Sequence, residues 1–129
     1  QEEMQREART IERLKLGIDL IITSPLTRAL QTAEIVARHL NLLDRIIQDE
    51  RLGAQFNADD LHAILTTQAE AENLMLVGHE PSFSLTISRL INGGRIVLKK
   101  GGLARIDLTD PASMKGELVW LLPPKVLVQ

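Results

Sequence analysis

Two short stretches of the 129-residue chain hold the residues whose types and spacing can do chemistry. The first, SPLTRALQTAEIV at 24–36, offers Ser24, Thr27 and Arg28 where a helix begins. Pro25 suits a first helical position, where its missing N–H costs nothing, and Ser24 is a good N-cap before it. Arg28 is misplaced there on electrostatic grounds, because a helix N-terminus carries partial positive charge and prefers anions. A bound oxyanion would resolve the conflict. The second stretch, LVGHEP at 76–81, offers Gly78, which lets the backbone turn closely, followed by His79 and Glu80. An arginine, a histidine and two sets of helix N–H groups on one spot would hold an anion, and phosphate is the obvious one.

Those two turns need a scaffold that brings them side by side. Met4, Ala8, Ile11 and Leu14 recur on one face of a helix over 1–16, which Gly17 ends. Residues 18–24 (IDLIITS) are short, β-branched and nearly all apolar, as a strand covered on both faces would be. The Pro25 helix follows, with Leu26, Leu30, Ala33, Ala37 and Leu40 as its apolar stripe. Residues 45–57 read as a weak strand and a loop, with Asn57 capping a helix from Ala58 to Thr67. Around 73–81 the earlier pattern repeats: a buried strand, a tight turn, and a proline opening a helix that runs to Ile91. Further strands are expected in 93–108 and 116–124, separated by a turn at Asp110-Pro111. Alternation of strands and helices predicts an α/β domain over 1–129, a three-layer α/β/α arrangement with a mostly parallel sheet. In such sheets ligands bind beyond the carboxyl ends of the strands, where both turns lie.

Composition narrows the partners. A net charge of −2, no Tyr and one Trp argue against nucleic acid, which needs basic and stacking surfaces. With no cysteine, disulfides and thiolate metal sites are out, and cytoplasm is the default compartment. No apolar run is long enough for a bilayer, so no membrane association is expected.

The two stretches resemble the second and third signature segments of the histidine phosphatase superfamily, which has the phosphoglycerate-mutase-like fold. The short chain, together with GRIVLKKGGLARIDL at 94–108 and WLLPPKVL at 120–127, resembles the small branch of phosphohistidine phosphatases of the SixA type. The likeness runs over essentially the whole chain, with one departure. The family's first strand ends in Arg-His-Gly, whose histidine accepts the phosphoryl group, and nothing of that kind occurs here. Arg38-His39 is followed by Leu40 and lies late in a helix, so it is a decoy. The chain therefore reads as lacking its N-terminal strand and nucleophile loop, which would leave a gap in the middle of the sheet.

The resemblance implies that Arg28 clamps phosphate oxygens and that His79 is the second catalytic histidine. Ser24, Thr27 and Glu80 would line the substrate site, and no metal or cofactor is implied. It also implies phosphate or a phosphorylated substrate as partner, with a histidine-containing phosphotransfer protein as one candidate. Alternatives stay open at several residues. Ser24 need do no more than cap a helix. His62 reads as an ordinary helix residue, and Lys99 and Lys100 either border the site or form a solvated strand end. Glu50 and Glu80 are both candidates for the acid that protonates a leaving group, and 48–60 for part of the rim. A small-molecule phosphomonoesterase and a non-catalytic phosphate-binding domain are the competing functions.

Overall fold

The computed structural model describes residues 2–100, 102–110 and 112–122. Helix α1 (Glu2–Leu14) leads into strand β1 (Leu20–Thr23), followed by α2 (Thr27–Leu40) and β2 (Ile46–Gln48). Then come α3 (Ala58–Thr67), β3 (Leu74–Val77) and α4 (Ser82–Leu90), and a hairpin of β4 (Leu103–Asp110) and β5 (Lys115–Leu122) closes the described chain.

Strands β2, β1 and β3 form a parallel sheet in that order, with Thr23 beside Gln48 on one side and Val77 on the other. Pairing is continuous within these three strands, and no ladder joins them to the remaining strands among the described residues. Side chains of successive strand residues point to opposite faces, and the packing follows that alternation. Ile21, Met75 and Val77 face α1 and α2, where Ala8, Ile11, Ala33, Val36 and Ala37 complete one core cluster. Leu20, Ile22, Leu74 and Leu76 face the other way, onto Leu52, Phe56, Leu61, Ile64 and Leu90. All of β1 is buried because both faces are covered. Three layers result.

The hairpin β4–β5 is antiparallel and forms its own two-stranded ladder. It packs Ile106, Leu108 and Met114 onto the cluster beneath α3 and α4.

Several local features follow from chain chemistry. Asn57 and Asp60 form a reciprocal capping box, which starts α3 at Ala58. Asn41 ends α2 in the left-handed conformation that asparagine tolerates better than most residues. His39, late in α2, places its ring nitrogens 2.9 Å from Gln5 Oε1 and 3.3 Å from Glu12 Oε1, tying α2 to α1. His62 sits exposed on α3.

Three sequence expectations are corrected. Leu14 is 40% exposed, outside the α1 seam, where Met4, Ala8 and Ile11 pack together with the buried Glu7. Helix α2 starts at Thr27, two residues after Pro25, so Leu26 is the N-cap and leaves the apolar stripe. Residues 95–99 form no strand: Ile96 and Leu98 turn partly inward, but the segment has no ladder partner among the described residues.

Candidate functional site

β1 and β3 are adjacent and parallel, so the turns that follow them emerge together at the carboxyl edge of the sheet. Ser24 N–H donates to Val77 O at 2.9 Å, extending the pairing by one step before the chains diverge. The two turns are then joined by side chains. His79 Nε2 lies 2.9 Å from Ser24 Oγ, across 55 residues of sequence. Ser24 Oγ also accepts the Leu26 N–H at 3.3 Å, and the residue is fully buried. That leaves the hydroxyl one proton to give and one lone pair free. A neutral imidazole can accept the proton, and an imidazolium can donate to the lone pair. His79 is held in either state.

The opening of α2 is left unsatisfied. Its first-turn residues include no acid, and Leu30 is the first to donate back into the helix, to Leu26 O at 3.0 Å. The N–H groups of Thr27, Arg28 and Ala29 have no acceptor among the described residues. Thr27 and Arg28 are exposed, and the Arg28 guanidinium has no ion pair or hydrogen bond there. Three amides and an unpaired cation are thus presented at one end of one helix.

The opening of α4 is the reverse. Phe83 N–H donates to His79 O at 3.2 Å, and Leu85 N–H to Pro81 O at 3.1 Å. Ser84 N–H donates to Glu80 Oε1 at 3.0 Å, and the Ser84 hydroxyl donates to the other carboxylate oxygen in a short contact. Ser82 Oγ donates to His79 O at 2.9 Å, which fixes the backbone that carries His79. Of the second set of helix amides expected for an anion, those of Phe83, Ser84 and Leu85 are therefore used inside the protein, that of Ser84 by Glu80.

Gly78 is required by space and not by a left-handed backbone. A Cβ there would meet the Phe83 ring at 2.7 and 2.8 Å and Leu52 O at 3.1 Å. Leu52 belongs to a short 3-10 turn (Glu50–Leu52) capped by Asp49, whose N–H donates to Thr23 O at 2.9 Å. This turn brings the segment after β2 against the site. Arg51 chelates Asp49 at 2.7 to 3.2 Å, and these hydrogen bonds hold the Asp49 carboxyl below its ordinary range. Glu50 is exposed beside that pair.

The structure thus brings Ser24 and His79 into contact and places Thr27 and Arg28 on the adjoining helix end. Glu80 follows His79 but turns its carboxylate onto Ser84. Sequence reading missed Ser84; the signal available was a serine four residues after a glutamate at a helix start. No group of three or more His, Cys, Asp or Glu among the described residues is arranged to hold a metal ion.

A family model for branch 1 of the histidine phosphatase superfamily matches residues 1–73. The chain belongs to that superfamily. Among solved structures it is similar to the protein histidine phosphatase SixA complexed with tungstate, at 24% identity and a TM-score of 0.84 over 96% of this chain and 80% of that one. It is also similar to a protein described as a phosphohistidine phosphatase SixA from Agrobacterium tumefaciens, at 22% identity and a TM-score of 0.76, covering 95% and 78%. A protein described as an alpha-ribazole-5'-P phosphatase from Escherichia coli K-12 matches at 19% identity and a TM-score of 0.66, covering 93% and 81%. At these identities the structures establish the fold, which is the phosphoglycerate-mutase-like α/β arrangement expected from the sequence. Among curated proteins none matches this chain. Family and fold together support a phosphatase. No helix among the described residues is long and apolar enough to cross a membrane.

Proposed function

We propose that the chain is the substrate-binding and acid–base part of a phosphatase that acts on phosphohistidine displayed on a protein. The observation that carries this reading is the His79–Ser24 contact beside the open end of α2. It ties an imidazole to the turn that opens α2, whose first turn carries unsatisfied amides and Arg28, and together these would make a donor set suited to three phosphoryl oxygens. Arg28 would grip two of those oxygens in parallel, since its donors are planar and permanently charged. His79 would donate to a third as charge develops in a loose transition state. Thr27 contributes its N–H to the cradle, while Ser24 acts by positioning His79.

The nucleophile is assigned to a histidine on a segment preceding Gln1. Its ring nitrogen would take the phosphoryl group while the substrate's P–N bond breaks and the leaving imidazole gains a proton. Water would then attack phosphorus, releasing inorganic phosphate and restoring the histidine. A phosphohistidine leaving group needs little acid assistance, which suits a site where the carboxylate that follows His79, Glu80, is bound to Ser84.

The test has two steps. Chemical-shift titration with inorganic phosphate should perturb the His79 ring and the amides of Thr27 and Arg28; silence at all three would remove the site. The chain beginning at Gln1 should not hydrolyse p-nitrophenyl phosphate, whereas protein extended through an upstream strand ending in Arg-His-Gly should. Turnover by the shorter chain would place the nucleophile elsewhere.

A further inference from the structure

Ser84 is only 9% exposed, yet its hydroxyl meets partners from two different segments. It donates to one oxygen of the Glu80 carboxylate and accepts the Leu98 N–H at 3.2 Å. Its own N–H donates to the other carboxylate oxygen at 3.0 Å. One buried residue therefore grips both oxygens of an acid whose own residue is exposed. A donor into the hydroxyl oxygen strengthens the proton that the hydroxyl offers, so the Leu98 N–H reinforces the bond to Glu80. Burial of the hydroxyl limits competition from water.

Simple capping does not account for this arrangement. A cap needs one acceptor for one amide, and the bond to the Ser84 N–H already supplies it. The second bond fixes where the carboxylate lies. That placement matters because of the neighbour on its other side. Glu80 directly follows His79, so their Cα atoms are about 3.8 Å apart. A carboxylate beside an imidazole that is to hold an oxyanion carries the same sign as that oxyanion. Bound into the first turn of α4, the charge is instead met by N–H groups and by the helix dipole.

We propose that Ser84 is a positioning residue, which holds the Glu80 carboxylate on the start of α4 and so keeps that charge from opposing an oxyanion bound at His79. The assignment rests on the reading of the site given above and deepens it, by naming what protects an anion site from its own acid.

The experiment measures the affinity of inorganic phosphate for the wild-type chain and three variants. Ser84→Ala frees the carboxylate and should weaken phosphate binding about fivefold, the effect of one exposed unit charge brought within about 4 Å. The deficit should nearly vanish in sodium chloride at about 1 M, where the screening length is about 3 Å. Ser84→Cys, similar in size but a weaker donor, should fall between wild type and Ser84→Ala. Ser84→Ala combined with Glu80→Gln should bind within about twofold of wild type, because the freed side chain no longer carries charge. Wild-type affinity in Ser84→Ala overturns the assignment and leaves the anion site standing. A deficit that persists in the double variant, or at high salt, also overturns it. Ser84 would then act through the Leu98 segment or the helix and not through the charge. Absence of phosphate binding by the wild type overturns the site reading, and the role of Ser84 with it.

Discussion

The N-termini of α2 and α4 face the same edge of one sheet, yet they are finished in opposite ways. At α4 the amides of Phe83, Ser84 and Leu85 all have acceptors within the protein, and one acceptor is a carboxylate from Glu80. At α2 there is no acid in the first turn, and a cation, Arg28, stands where an anion is preferred. Satisfying every amide maximises stability, so an end left open and charged the wrong way costs free energy in the unliganded protein. The difference teaches where to look for a ligand. The structurally complete end holds His79 in place, and the incomplete end is where an oxyanion gains most.

The largest expected effect breaks the incomplete end. In protein extended through the proposed upstream nucleophile, Arg28→Ala should lower kcat/KM for p-nitrophenyl phosphate by about a hundredfold, roughly 3 kcal/mol of transition-state stabilisation. Arg28→Lys should recover only part, because the parallel two-bond geometry is lost. Full activity in Arg28→Ala would reduce the residue to a surface charge and erase the contrast between the two ends.

The positions of both ends were legible in the sequence, which read their amides alike as open to an anion. A buried strand followed by a turn and a proline, twice, located both ends, and the lone Arg28 raised the electrostatic conflict. The apolar run at 18–24 and the one that opens 73–81 identified the strands that carry them, which the structure places at 20–23 and 74–77. Other features depend on side-chain reach, which sequence patterns do not encode. Nothing in the order Glu80-Pro81-Ser82-Phe83-Ser84 says that the carboxylate folds back onto the helix instead of facing the ligand. Gly78 looked like a residue needed for backbone freedom, whereas the Phe83 ring and a carbonyl from Leu52 exclude its side chain. The segment 95–99 has strand-like residues, but a strand exists only where a partner edge is free, and that is decided by the rest of the fold.

The next two effects concern the complete end. Gly78→Ala should destabilise the protein by about 2 kcal/mol in urea unfolding, the usual size for forcing a methyl group into packed space. Phe83→Leu, combined with it, should return part of that loss, because the ring is the nearer obstacle. If Gly78→Ala is neutral, the ring swings away freely and the turn is not fixed by packing. Glu80→Ala removes the acceptor from the Ser84 N–H and hydroxyl, and should cost about 1 kcal/mol of stability, as for other helix caps. Phosphate affinity in Glu80→Ala should stay near the wild-type value. A large drop would mean that Glu80 serves the ligand after all.

Comparing the two ends by stability requires a fixed pH, because a third group titrates in α1. Glu7 is buried, and that burial, with the neighbouring Glu3 adding to it, pushes its carboxyl up to about 7. An acid whose folded pKa is raised contributes stability in acid that is lost as pH rises from its ordinary value through the folded one. Wild-type Tm should therefore fall between pH about 5 and about 8 by more than that of Glu7→Gln, which has no such proton to lose. Parallel pH profiles for the two proteins would show that Glu7 reaches water. The Glu7→Gln background is the cleaner one for the smallest measurement.

That smallest effect returns to Arg28 and reverses its sign. Without ligand, the first turn of α2 carries the Arg28 charge with no acid in that turn and no ion pair among the described residues to offset it. Arg28→Gln removes the unfavourable charge while keeping a long polar side chain, so the unliganded protein should gain about 0.5 kcal/mol and melt slightly higher. The gain should shrink as salt is raised, since the interaction is exposed and screened. With saturating inorganic phosphate the order should invert: the wild type gains stability from the bound anion, and the variant gains less because its affinity is lower. Thermal melts of both proteins, with and without phosphate, read all four values. If Arg28→Gln is less stable than wild type in the absence of any anion, then Arg28 is held by a contact inside the fold, and the open end of α2 has been misread.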